Sequence, residues 1–187
     1  MTLFQLLMLG ASAFFAFKIY QHIQTLKDPQ TGEDFEDSAD VELLIYQGDE
    51  ELQKGDFQRA LAIYSEAHFK VPQSQEILFK MGYVLTEQER YDEALQRYKD
   101  ALELNEDNSA LHQAIASLYR KMAQFEKAKE HLEISLKIDS KNPITYYNYG
   151  NLLVDMQENE SAKEMYVKAL ELDEDFIQAK EELEKLS

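Results

Sequence analysis

Cysteine is absent from this chain of 187 residues. That one absence excludes disulfides, thiolate-held metals and cysteine nucleophiles together. It assigns no compartment, because a cysteine-free protein is at home in oxidising and reducing surroundings alike. Punctuation is sparse too, with three prolines and six glycines. Long stretches without a breaker point to helices joined by short links. Cations are outnumbered: 19 Lys and Arg stand against 36 Asp and Glu, a formal charge of −17. Nucleic acid is gripped by basic side chains that release condensed counterions, so this chain is poorly suited to holding it. The same excess disfavours docking of its soluble part on anionic lipid.

Reaction motifs are missing as well. The sequence has no Gly-rich phosphate loop, no nucleophile elbow and no H-E-x-x-H. His22, His68, His112 and His131 are scattered, with no carboxylates at metal-ligand spacing beside them. Acidic neighbours such as Glu181 and Glu182 read as a solvated helix face. The expectation is a non-enzyme with no catalytic residue, no metal site and no cofactor.

What is present begins with an apolar segment. Leu3 to Phe17 is interrupted only by Gln5 and Ser12, and apolar character resumes after Lys18 at Ile19, Tyr20 and Ile23. A helix from Thr2 to Ile23 would be roughly 33 Å long at about 1.5 Å per residue, close to a bilayer's hydrocarbon thickness. Lys18 and His22 can snorkel to headgroups, and Tyr20 suits the interfacial belt. Residues 1–26 are therefore expected to be a transmembrane anchor. The competing reading is a signal peptide cleaved after Ala11-Ser12-Ala13, although no basic residue precedes the run and Phe14, Phe15 and Phe17 continue it. Lys18 and Lys27 lie on the C-terminal flank and no Lys or Arg precedes the span, so the positive-inside rule puts the remainder in the cytoplasm. The resulting expectation is a single-pass protein of a bacterial inner membrane. Residues 27–40, with Pro29, Gly32 and six acidic side chains, read as a flexible acidic linker.

The rest of the chain repeats itself. Ala60, Ala94, Ala128 and Ala162 recur every 34 residues, as do Gly48, Gly82, Ala116 and Gly150. Ala67, Ala101, Ser135 and Ala169 keep the same step, and so do the large residues Tyr64, Tyr98, Leu132 and Tyr166. Between these markers apolar residues fall at helical spacing, as in Ala94, Leu95, Tyr98, Ala101 and Leu102. Small residues let one helix of a hairpin cross its partner closely, and aromatics fill the gaps beside them. A single hairpin cannot cover its own apolar face, so neighbours must stack.

In period and signature this stretch resembles the tetratricopeptide repeat family. The resemblance covers residues 41–176 as frames 41–74, 75–108, 109–142 and 143–176. It implies an all-α fold: a right-handed superhelical solenoid of four hairpins, closed by a short polar capping helix over 177–187 and preceded by the transmembrane helix. Departures are Asn159 in place of an aromatic, His112 in place of a large apolar residue, and the closing proline kept only at Pro72.

The resemblance also implies a role, protein binding in a concave groove lined by the first helix of each hairpin. Carried onto this chain, the exposed places give Ile45, Asp49 and Leu52, then Phe79, Tyr83 and Glu87. The third hairpin gives Gln113, Ser117, Arg120 and Lys121, and the fourth Tyr147, Asn151 and Asp155. The expected partner-binding residues are Ile45, Phe79, Tyr83, Arg120, Lys121, Tyr147 and Asn151. Phe79, Tyr83 and Tyr147 would be anchors, unless they are core residues in a shifted frame. Arg120 and Lys121 would be a basic spot for a partner carboxylate, within residues 41–187 whose 17 basic and 30 acidic side chains give −13. The Lys–Asn–Arg clamp of the family's chaperone-binding members is missing, since Ile45 and Asp49 occupy its first places. The reading is a membrane-tethered scaffold or adaptor that holds a protein or peptide, in assembly or turnover of a membrane complex. The alternative is an exported soluble assembly protein freed by signal cleavage.

Overall fold

The computed structural model describes the backbone of residues 29–186 and the side chains of residues 40–186. Among the described residues there are nine α-helices and no strand. They are α1 (Pro29–Gln53), α2 (Phe57–Lys70), α3 (Gln75–Glu87), α4 (Tyr91–Leu104), α5 (Ser109–Lys121), α6 (Phe125–Ile138), α7 (Pro143–Asp155), α8 (Asn159–Leu172) and α9 (Ile177–Lys185). The anchor expected over residues 1–26 lies outside the described residues. No described helix is long and apolar enough to cross a membrane.

One boundary differs from expectation. Residues 29–40, read as a flexible linker, are helical and continue into the first hairpin as α1. Proline in the opening turn costs no intrahelical bond, and acidic residues are favourable toward a helix N-terminus. The segment lengthens an existing helix and needs no core of its own.

Local signals set the remaining boundaries. Ser74, Asn108 and Asn142 each accept a backbone N–H of the following first turn, at 3.4, 3.1 and 2.9 Å. These N-caps open α3, α5 and α7 at the same place in the repeat. Between the helices of each hairpin one residue takes a left-handed conformation: Gly55 (φ 76°), Glu89 (59°), Ala123 (56°) and Gln157 (65°). Each turn closes with a matching pair of bonds, for example Ala123 N–H to the Arg120 carbonyl (2.9 Å) and Gln124 N–H to the Tyr119 carbonyl (2.8 Å). That reversal is what fixes each hairpin.

Inside each hairpin a small residue faces a large one. A Cβ placed on Gly82 would lie 2.5 Å from Cε1 of Tyr98, and Gly48 and Gly150 stand in the same relation to Tyr64 and Tyr166. The third hairpin reverses both members: Ala116 faces α6, which carries Leu132 in place of a tyrosine, and both are buried. The shorter side chain makes room for the added methyl.

Stacking follows the same period. Ile77, Val84 and Met81 of α3 are buried against Ala60, Tyr64 and Ala67 of α2. Their counterparts one repeat on, Leu111, Ile115 and Leu118, join the central core with Tyr98 and Ala101. At the beginning of the stack the same places hold Leu43, Gln47 and Glu50, all exposed. At the far end they hold Ala179, which is fully buried, with Leu183 and Leu186 against the Tyr166 cluster. The capping helix expected over 177–187 is thus α9, a first helix without its partner, with polar residues turned outward.

Candidate functional site

Consecutive first helices approach one another, α3 against α5 and α5 against α7. Three ion pairs tie this row together across repeats. Lys80 Nζ lies 2.8 Å from Asp49 Oδ1, Lys121 Nζ 2.9 Å from Glu87 Oε1, and Arg120 Nε 3.3 Å from Asp155 Oδ2. All six side chains are partly exposed, so each pair is worth about 1 kcal/mol at most. Their importance is positional, because they place charged groups at fixed steps along one surface.

Beneath them the hairpin tyrosines reach through to the same surface. Tyr64 Oη donates to Asp49 Oδ1 at 2.5 Å, and Tyr166 Oη donates to Asn151 Oδ1 at 2.8 Å. Burial, then the bond to Asp49, raises the Tyr64 phenol above its ordinary range. Burial likewise pushes Tyr98 up to about 12. These phenols remain protonated donors under any physiological condition. Asp49 therefore accepts from both Tyr64 and Lys80.

The expected contact residues fall into three groups. Tyr83 is open, 43 % exposed on α3. Ile45, Phe79 and Tyr147 are half-buried. Ile45 packs on the core beside Ala60 and Tyr64, and Phe79 meets the Tyr98 ring at 5.9 Å. Tyr147 sits between Tyr166 (6.0 Å) and Phe176 (5.1 Å). These three anchor the fold more than they offer a free face. Arg120, Lys121 and Asn151 do line the row, but each is already engaged. Gln113, expected at the groove, is 8 % exposed and donates to Thr145 Oγ1 at 2.8 Å, fastening α5 to α7.

Sequence reasoning missed three features. Lys80 joins the row through Asp49; the signal was its place four residues after Glu76, with which it also pairs at 3.7 Å. Ile144, at the start of α7, is 50 % exposed. His112 and His131, scattered in sequence, meet across the third hairpin. No set of three or more His, Asp or Glu among the described residues is arranged to hold a metal ion.

Family models described as tetratricopeptide repeat match residues 51–118, 85–135 and 144–176. The chain belongs to the tetratricopeptide repeat family. Among curated proteins, RNA polymerase II-associated protein 3 of Rattus norvegicus is 28 % identical over 110 residues. That match covers 59 % of this chain and spans 17 % of the relative's length. Among solved structures, Pseudomonas aeruginosa pilF aligns with a TM-score of 0.72 at 20 % identity, over 80 % of this chain and 68 % of the other. A MamA structure from Desulfovibrio magneticus RS-1 aligns at 0.65 and 21 %, over 78 % and 82 %. These two share the fold. The first repeat domain of Spaghetti (RPAP3), bound to the HSP90 peptide SRMEEVD, aligns at 0.56 and 26 %, over 61 % of this chain and 90 % of that one.

Proposed function

We propose that this chain is a membrane-tethered adaptor whose row of first helices holds a segment of a partner protein. The observation that carries the reading is Tyr83, an aromatic left 43 % exposed on that row. It stands on the helix between Asp49 and Ser117, beside side chains fixed by cross-repeat ion pairs. A rigid, amphipathic side chain on a preorganised surface loses little entropy when it is covered. The tether rests on the apolar run of residues 1–26, and the cytoplasmic orientation on Lys18 and Lys27.

The Spaghetti domain's peptide supports a peptide-holding surface in general. Its acidic end does not suit this one. Ile45 and Asp49 occupy the first clamp places, and Lys80, Arg120 and Lys121 already face carboxylates of neighbouring repeats. A partner that presents apolar or basic side chains matches the row better.

The test is cross-linking and pull-down of the full chain from intact membranes, wild type against Tyr83→Ala combined with Ile144→Asp. Both side chains are exposed, so melting of the purified variant should match wild type. Partner recovery should fall by about tenfold, the equivalent of about 1.4 kcal/mol. Undiminished recovery would exclude this surface. Intact mass and resistance to alkaline extraction of the native protein separate the tethered form from the exported one.

A further inference from the structure

His112 on α5 and His131 on α6 are 19 residues apart in sequence, yet their Nδ1 atoms lie 3.0 Å apart. The ring centroids are 5.2 Å apart, and His112 Nε2 lies 3.2 Å from the Glu106 carbonyl oxygen. His112 is 7 % exposed and His131 is half-buried. The other hairpins hold Leu44, Leu78 and Tyr146 at the first place, and Ile63, Arg97 and Met165 at the second. The pair belongs to the third hairpin alone.

The contacts fix the protons. A carbonyl only accepts, so His112 Nε2 carries hydrogen and its Nδ1 presents a lone pair. His131 Nδ1–H must then donate to it. One added proton can go to His131 Nε2 and leave both bonds intact. A second would put N–H against N–H between two cations at 3.0 Å, which a largely buried site does not tolerate. Burial, then the neighbouring His112, lowers the His131 pKa. Lys99 of α4 acts in the same direction, and Glu130 on α6 opposes it. Glu106 and Asp107 of the α4–α5 turn and Lys137 of α6 border the cleft beside His112. Tyr119 of α5 lies 5.6 Å from the His131 ring, and Lys127 Nζ lies 5.3 Å from the centroid of the Tyr119 ring.

We propose that the His112–His131 bond is a proton-sensitive catch that seats α5 on α6 and loosens as the surroundings turn acid. α5 also carries Ser117, Arg120 and Lys121, so loosening it disturbs the middle of the partner-binding row. This consequence rests on the proposed function; the catch itself does not. The sign follows from linkage. A histidine whose folded pKa lies below its unfolded value contributes stability in full above the unfolded value, about 6.5. That contribution is lost as pH falls below it.

The test needs no partner. Imidazole signals of the full chain are titrated by NMR, and melting is followed from about pH 7.5 to about pH 5, the range in which an ordinary histidine charges. Two variants accompany wild type. His131→Asn keeps a donor near the Nδ1 place without a titrating ring, and His112→Leu installs the residue used at Leu44 and Leu78. Wild type should melt lower at the acid end, with His131 titrating below the ordinary value. α5 amides, corrected for intrinsic exchange, should lose about tenfold in protection for each unit of pKa difference. Both variants should melt with a flatter pH dependence. Ordinary titration of His131 in wild type, or melting curves that fall in parallel for all three proteins, would overturn the catch. A catch that holds while the Tyr83 variant recovers partner undiminished would leave the switch standing and remove only the groove.

Discussion

Tyr64 and Tyr166 each do two jobs with one side chain. Their rings fill the space left by the missing Cβ of Gly48 and Gly150, as Tyr98 does at Gly82, and their phenols donate to the residue after each glycine, Asp49 and Asn151. The core packing thereby sets the surface. Gly82→Ala should destabilise the domain by about 2 kcal/mol, since a methyl driven into a close-packed ring forces backbone to shift. Adding Tyr98→Leu should recover part of that loss, because the pair then copies Ala116 and Leu132. Chemical denaturation of the two single variants and the double variant measures the coupling. Purely additive losses would contradict the pairing. The columns of Gly and Tyr were legible in the sequence. So was the packing of aromatics beside small residues, but not which tyrosine meets which glycine, because spacing along the chain does not pair side chains across a hairpin. The same limit hid His112 from His131.

At the scale of the helices, the turns within the hairpins are uniform in shape and uneven in composition. Gly55 takes the left-handed turn freely, whereas Glu89, Ala123 and Gln157 take it at a cost. A non-glycine residue there costs roughly 1–2 kcal/mol, partly offset by glycine's greater freedom when unfolded. Ala123→Gly should therefore stabilise the domain by about 0.5–1 kcal/mol. A thermal melt shows the gain as a raised midpoint; a lowered midpoint would mean the turn is not held as described. Helix count and phase were readable because the 34-residue columns fix them. The beginning of α1 was not, since residues 29–40 are acidic and carry Pro29 and Gly32, a composition that reads as linker. Continuation from a helix already seated on α2 outweighs that composition.

Over the whole molecule, the two ends of the stack are finished differently. The opening face exposes Gln47 and Glu50 where later repeats place Met81 and Val84, and the closing face is covered by α9. Both devices discourage further stacking. The family resemblance placed Tyr83 on the row of first helices, where it stands exposed. It left open whether Phe79 and Tyr147 were core residues, as their ring contacts make them, and did not foresee that Arg120 and Lys121 are held by acids one repeat away. The ion pairs exist only between hairpins, and the ring contacts only once each hairpin has closed.

The central claim, that a partner lies along the first helices, is tested most directly by photocross-linking in intact cells. A benzophenone amino acid is placed at residue 83 on α3 and, separately, at residue 103 near the end of α4, where exposed Glu103 stands on a second helix. The account predicts a discrete adduct from residue 83 and none from residue 103. An adduct from residue 103 alone would contradict it.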